Sequence, residues 1–277
     1  MNDLVNQAPN QLPSNMTPMQ LTEMYRKMAE QQASTERRIG TSISVRNGVM
    51  SVGDQPIPGN QFAAVILDAA RLNTFYPTAF NPQSMDPPVC YAVGRDDAEL
   101  APHQDMQKDL NYFKPQADHC NGCPHNEFGS GRTGAGKACT NRRRLFMLLA
   151  GTYNMTAGGL QMAPFMDASH YETTSFLQMT LPPTSLKAWG EYVRGSTAQY
   201  QRPYFGLITR VYLYPHPKHG KEAIGFETLA TIPDDWAPAI FNRFTEAQGE
   251  ILEGYEPPQN RHPGGGFHGA QQQQNGG

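Results

Sequence analysis

Long apolar runs and targeting signals are both missing from this chain of 277 residues. No stretch approaches the ~18 apolar residues that a membrane-spanning helix needs. The first 20 residues have neither the basic region nor the apolar region of a secretory signal peptide. These absences argue against membrane proteins and secreted proteins, so we expect a soluble, cytoplasmic protein.

Charge is scarce as well. Only 17% of the residues are charged and 38% are hydrophobic, against about 25% and about 45–50% in average soluble domains. This shortfall predicts uncharged, unfolded segments beside a folded core. We expect a flexible arm with a short helix at 1–38, a core at 39–232, an acidic helix at 233–256 and a disordered Gly/Gln-rich tail at 257–277.

Catalytic motifs do not stand out. The sequence shows no obvious carboxylate pair, Ser/His/Asp set or activated cysteine. Residues 131–137 (GRTGAGK) fit the G-x-x-x-x-G-K frame of a phosphate-binding loop, but Ala138 stands where the Mg²⁺-binding hydroxyl belongs. We therefore predict that the protein is not an enzyme, and we keep a metal-dependent nuclease as an alternative.

The sequence does contain a series of strand signals. Asn47-Gly48 lies between alternating apolar and polar residues and predicts a β-hairpin. The apolar run at 61–67 is a buried strand or the start of a helix. Further strands are predicted at 89–93, 145–150, 175–181, 206–215 and 223–231, and the last two are predicted to pair across a turn. One helix is predicted to begin after Pro183, and another spans 234–252. Because helices do not alternate regularly with strands, we predict a mainly β, α+β fold built on a small, curved antiparallel barrel.

The four cysteines fall within one window of 50 residues. Cys120 and Cys123 have the two-residue spacing that lets both thiolates bind one tetrahedral ion. Cys139 follows after 15 residues, and 29 residues separate Cys90 from Cys120. Residues 94–144 otherwise lack the periodicity of a helix or strand, and a stretch of this length inside a domain needs a cross-link or a bound metal to order it. We therefore predict a structural zinc site with all four cysteines as ligands.

Other interpretations of the cysteines stay open. Disulfides are disfavoured in a chain without secretion signals, whereas spacing alone does not separate zinc from an iron–sulfur cluster. Unrelated buried thiols are a third alternative. His119 or His125 could replace Cys90 as the fourth ligand, although a surface-loop histidine is the simpler interpretation of each. A site with four thiolates leaves no open position for water, so we interpret it as structural.

Positive charge is concentrated in the middle of the chain. The net charge is −4 for residues 1–119, +6 for residues 120–226 and −5 for residues 227–277. Residues 130–146 contain no acid and five cations, namely Arg132, Lys137, Arg142, Arg143 and Arg144. We expect the glycines of this loop to leave backbone N–H groups open to phosphate oxygens. This distribution is typical of a polyanion-binding surface; a solvated loop balanced by distant acids is the alternative.

Aromatic residues interleave with these cations. Tyr212 and Tyr214 lie two residues apart on a predicted strand and share a face with Arg210. Such a face suits the stacking of unpaired bases, and its burial in the core is the alternative. We predict that Arg210 and Lys187 make further phosphate contacts.

The cysteine run carries a resemblance to a known family. Residues 120–145 read CNGCPHNEFGSGRTGAGKACTNRRRL, after PPVC at 87–90 and before LPPTSLKAWGEY at 181–192. Together these segments resemble the single-stranded DNA-binding proteins of bacteriophages, which are built on a five-stranded antiparallel OB-type barrel. The resemblance spans roughly residues 39–230, and it maps all four cysteines onto cysteines of the family.

The resemblance implies a single-stranded DNA-binding protein of phage replication or recombination, acting in the host cytoplasm. Many such proteins end in an acidic tail that recruits partners, whereas here the acids lie at 227–256 and the last 21 residues have none. We therefore expect the acidic C-terminal helix to make the contacts with replication or recombination proteins. A zinc-stabilised virion or host-takeover assembly protein is the second class of function.

Overall fold

A computed structural model describes residues 41–78, 87–98, 100–217 and 220–254, together with positions 17, 19, 24 and 25. The chain divides into two compact units, Met1–Gly40 and Thr41–Gly277, and the second contains all of the elements named below. The predicted tail at 257–277 and nearly all of the predicted arm and helix at 1–38 lie outside the described residues.

The second unit contains ten strands and three α-helices within its described residues. The strands are β1 (Thr41–Arg46), β2 (Val49–Val52), β3 (Gln55–Pro56), β4 (Gln61–Phe75), β5 (Cys90–Gly94), β6 (Cys139–Thr156), β7 (Gly159–Pro164), β8 (Leu177–Leu181), β9 (Leu207–Pro215) and β10 (Glu222–Thr231). The helices are α1 (Ala168–Thr173), α2 (Leu186–Tyr200) and α3 (Ala237–Glu250). None of these helices is long and apolar enough to cross a membrane.

The strands form one open, mixed sheet. Its order is β10–β9–β4–β6–β8–β1–β2–β3, with β5 also paired to β4 and β7 also paired to β6. The β1–β8 pair is parallel, and the other pairs are antiparallel. The fold is therefore mainly β and of the α+β class, as predicted. A five-stranded OB-like barrel is not confirmed, because the described strands follow an open path and include a parallel pair.

The predicted hairpin is confirmed. Arg46 of β1 pairs with Val49 of β2, and Asn47 and Gly48 have φ angles of 51° and 76°. Two successive positive φ angles are what a tight two-residue hairpin turn requires, and Asn-Gly is the sequence that adopts them most readily.

The long β4–β6 pair forms the centre of the sheet. It extends from Phe62 opposite Thr152 to Phe75 opposite Cys139, with two irregularities in register. One face of the pair packs against α2 and the other against α1 and α3, so both faces of its middle section are buried. Its polar end lies beyond these helices. Strand β6 begins at Cys139, inside the stretch at 94–144 that lacked a period in the sequence.

Candidate metal centre and nucleic-acid interface

The fold brings the four cysteines together. Cys90 begins β5 and Cys139 begins β6, and both are paired with Phe75 at the end of β4. Cys120 and Cys123 come from the loop between β5 and β6. All four line one cavity of about 20 Å³, which is room for a single ion or water molecule. The grouping predicted from their spacing is therefore present in the fold.

A tight turn joins the two cysteines of the loop. The N–H of Cys123 donates to the carbonyl of Cys120 at 3.4 Å, and the N–H of Asn126 donates to Cys123 at 2.8 Å. Gly122 between them has φ +78°, a left-handed conformation that favours glycine. His119 and His125 also border the cavity. The ring of His125 stacks on Phe75 with centroids 4.2 Å apart, which gives it a packing role.

Burial, and to a smaller extent the neighbouring thiols, raises the pKa of Cys90, Cys120 and Cys139. Burial raises the pKa of Cys139 to about 12, and the neighbouring thiols add to this shift. The pKa of Cys120 is raised to about 11 by burial and by Cys90 and Cys123, although a hydrogen bond with Asn73 lowers it. Burial also raises the pKa of Cys90. A divalent cation would reverse this balance, because it stabilises coordinated thiolates.

None of the four cysteines is in a disulfide. The described part of the chain also contains no group of three or more His, Cys, Asp and Glu side chains arranged as a metal site. The thiols therefore surround a common cavity without adopting ligand geometry. The zinc site remains a prediction.

A network of asparagines ties the cysteine loop to the sheet. Asn73 of β4 lies opposite Asn141 of β6, and the Asn141 amide donates to Asn73 Oδ1 at 2.7 Å and to Asn126 Oδ1 at 2.9 Å. The Asn126 amide donates to the carbonyl of Cys120 at 2.9 Å. Asn73, Cys120 and Asn126 border both the cysteine cavity and a larger groove beside it. These residues form the wall between the two.

That larger groove, of about 610 Å³, contains a pair of arginines. Arg71 of β4 lies directly opposite Arg143 of β6, and like charges at such a position repel. Arg71 is neutralised by Asp97, with 2.7 Å between Nη1 and Oδ2. Asp96 and Glu127 add further acid to the rim, and Lys137 and Arg142 add base. Of the four groove cations, the sequence singled out all but Arg71.

The guanidinium of Arg143 has a buried nitrogen without a hydrogen-bond partner among the described residues. Its Nε and that of Arg142 are buried without a hydrogen bond. Burial lowers the pKa of Arg143, and the charge of Arg71 lowers it further, while Asp97 opposes the shift. Buried polar groups are normally satisfied, and a bound anion would supply a partner for the Arg143 Nε.

The glycine-rich loop differs from its prediction. The N–H groups of Gly129 and Gly131 both donate to the carbonyl of Gly136, at 2.7 and 3.4 Å. The N–H of Gly134 donates to Gly131 at 2.7 Å. These backbone donors close the loop on itself and are not open to phosphate. Arg132 lies exposed at its tip.

Arg144 is a structural residue, which corrects its assignment to nucleic-acid binding. Its side chain is only 4% exposed. Its guanidinium donates to the carbonyls of Ile251, Glu253 and Gly254 at 3.0, 2.7 and 3.3 Å. Alternation along β6 places both Arg142 and Arg144 on the sheet face opposite Arg143, where Arg144 binds the carbonyls that follow α3.

The predicted tyrosine face forms, but away from the groove. Tyr212 and Tyr214 have ring centroids 6.0 Å apart, and the Arg210 guanidinium lies 4.8 Å from the Tyr212 centroid. Arg210 also pairs with Glu227 at 3.0 Å. Because Arg210 lies opposite Ala63, this face is about 26 Å along β4 from Arg71. The packing clusters place it on the other side of the sheet.

Lys187 is the second residue of α2; its side chain is 85% exposed, and its Nζ lies 3.7 Å from the Glu191 carboxylate one turn later. Its neighbour Leu186 borders the groove, so Lys187 lies near the groove rather than near the tyrosines. Sequence reasoning missed Arg71 and the three asparagines. Only the β4–β6 register places Arg71, Asn73 and Asn141 at the site, and no local motif marks them.

Comparison with protein-family models, with curated proteins and with solved structures found no match.

Proposed function

We propose that this chain is a non-catalytic, single-stranded DNA-binding protein of phage replication or recombination. The observation that carries the proposal is the cross-strand pair of Arg71 and Arg143, in which the Arg143 Nε has no hydrogen bond among the described residues. Burial, and then the charge of Arg71, lowers the pKa of Arg143, and a phosphate bound at Arg143 would offset that effect and satisfy the free donor. The groove that contains them, about 610 Å³ in volume, is open to such a ligand.

The DNA backbone would bind first through Arg143, with Lys137 along the same groove. Side chains alternate along β6, so the side chain of Arg142 is directed to the face of Arg144 and is not assigned a contact with this phosphate. Arg71 contributes less, because Asp97 already neutralises it. The exposed Arg132 and Lys187 would add contacts with phosphates outside the groove. Contacts of this kind depend on charge and not on sequence, and they weaken as salt replaces the released counterions.

The four cysteines would hold a structural zinc ion. Their common cavity admits one ion, and burial among like groups explains why these thiols need a cation to ionise. The chemistry that zinc would supply is charge neutralisation of the thiolates. The chain itself would supply the turn at 120–126, which borders both the cysteine cavity and the larger groove that contains Arg143.

Two finer parts of the proposal concern architecture and partners. The strands follow an open path, and an OB-like barrel would require them to pair further, so that the sheet closes around the core. The acidic segment around α3, with Asp234 and Asp235 exposed at its start, would recruit replication or recombination proteins. Replacing the exposed Asp234 and Asp235 with asparagine keeps the packing of α3, and measuring partner capture by that variant tests the second part independently of DNA binding.

Fluorescence anisotropy tests the proposal. The full chain is titrated onto a labelled single-stranded oligonucleotide and onto the matching duplex, each across a series of salt concentrations. We expect tighter binding of the single strand and a steep linear fall of log affinity with log salt. Equal affinity for the two forms, or affinity independent of salt, contradicts it.

A second function is favoured by the charge pairing. Arg71, Arg144 and Arg210 are all engaged within the protein, by Asp97, by main-chain carbonyls and by Glu227. A basic region with so much internal pairing also suits a zinc-stabilised assembly protein of a virion or host-takeover complex. That function predicts no salt-dependent affinity for oligonucleotides.

A further inference from the structure

Phe128 occupies an unusual position beside the groove. It is 83% exposed, whereas phenylalanine is among the residues that most often lie inside a protein. It follows Glu127 and Asn126, which border the arginine groove. No packing requirement explains a fully exposed aromatic ring at this point of the chain.

The ring is held on an ordered turn. The Ser130 hydroxyl donates to the carbonyl of Glu127 at 2.6 Å, and it accepts from the N–H of Ala138 at 3.0 Å. The N–H of Gly129 donates to Gly136 at 2.7 Å. These bonds fix the backbone on both sides of Phe128, so its exposure results from the conformation of the turn.

A cation accompanies the ring. The Lys137 Nζ lies 5.2 Å from the centroid of Phe128 and 3.4 Å from Asn126 Oδ1. Lys137 also borders the groove that contains Arg143. An aromatic face and the cations of the groove therefore adjoin each other, which is the combination that binds single strands without reading their sequence.

We propose that Phe128 stacks an unpaired base of the strand whose backbone lies in the groove, with Lys137 on the adjoining phosphate. This inference rests on the proposed function and deepens it, since it assigns the preference for single strands to one residue. Bases in a duplex are already paired and stacked, so they cannot cover the ring without disruption. The tyrosine face is not required for this contact.

Matched leucine variants test the inference. F128L removes the ring and keeps an apolar side chain, and F241L makes the same change at an aromatic residue of α3 that is 56% exposed. We expect F128L to bind single-stranded oligonucleotide at least about fivefold more weakly, and F241L to bind like the wild type. An oligonucleotide with abasic sites should bind the wild type more weakly and should bind F128L with little further loss.

A tryptophan variant supplies a direct readout. The native Trp189 and Trp236 are each 5% exposed, so additional quenching of F128W fluorescence by an oligonucleotide reports stacking on the new indole. If the wild type binds no single strand, the proposed function and this inference both fail. If the wild type binds, but F128L binds equally well and F128W shows no added quenching, only the inference is overturned.

Discussion

Replacing Arg143 with glutamine should weaken DNA binding without weakening the fold. The guanidinium is half-buried, it opposes Arg71 across the β4–β6 pair, and its Nε has no hydrogen bond among the described residues. Removal of its charge relieves a like-charge pair, which is worth roughly 0.2–1 kcal/mol in sheets. The free energy of unfolding should therefore stay unchanged or rise slightly.

Binding should respond in the opposite direction. A hydrogen bond to a charged group contributes about 1.5–3 kcal/mol, so the loss of Arg143 should weaken single-strand affinity by roughly 10- to 150-fold. The slope of log affinity against log salt should fall by about 0.7 for the one lost phosphate contact. Anisotropy titrations at several salt concentrations measure both quantities, and urea denaturation measures stability.

The matched control is R194Q. Arg194 is exposed on α2, about 12 Å along the helix from the groove residue Leu186, and its loss changes the net charge by the same amount. We expect its affinity to stay within about twofold of the wild type. If R143Q and R194Q weaken binding equally, net charge and not the groove accounts for affinity. If R143Q is markedly less stable, Arg143 has a folding role and the reasoning above is refuted.

Four other predictions separate the structural from the functional residues. R144M should lower the free energy of unfolding by about 2–3 kcal/mol in urea titrations, because carbonyls lose a charged donor; unchanged stability contradicts this. C139S should abolish a one-to-one zinc content in elemental analysis and lower the melting temperature, because it removes one of the four ligands; a wild type that contains no zinc contradicts this. In the metal-free protein, the Cys120 pKa of about 11 keeps the thiolate scarce, so labelling by a disulfide reagent should be slow at pH 8 and accelerate as pH rises toward that value; rapid labelling at pH 7 contradicts the raised pKa. Leucine at both Tyr212 and Tyr214 should weaken binding of long oligonucleotides only, because that face is remote from the groove, and an equal loss with short ones would refute the separation.

Local signals predicted much of the fold. The Asn47-Gly48 turn and the pairing of 206–215 with 223–231 depend on neighbouring residues, and both are found in the structure. The strand at 145–150 is longer than its apolar core indicated, because it continues to Cys139 through polar residues that pair with β4. Apolar periodicity does not mark a strand whose end leaves the core. The mixed sheet depends on the long-range β1–β8 contact, for which no single segment carries a signal.

The candidate site was predictable only in part. The spacing of Cys120 and Cys123 placed them together, and the fold adds Cys90 and Cys139 through the strand register at Phe75. The run of three arginines looked uniform in the sequence, yet alternation along β6 sends Arg144 to the opposite face from Arg143. The alternation of side chains along the strand, and not composition, decides which of these cations lies in the groove.

One measurement tests the central claim most directly. Purified full-length protein is titrated onto a labelled single-stranded oligonucleotide and its duplex at low and at physiological salt. The account predicts tighter binding of the single strand and a loss of affinity of orders of magnitude as salt rises. An absence of binding, or the same affinity for both forms at both salt concentrations, would contradict it.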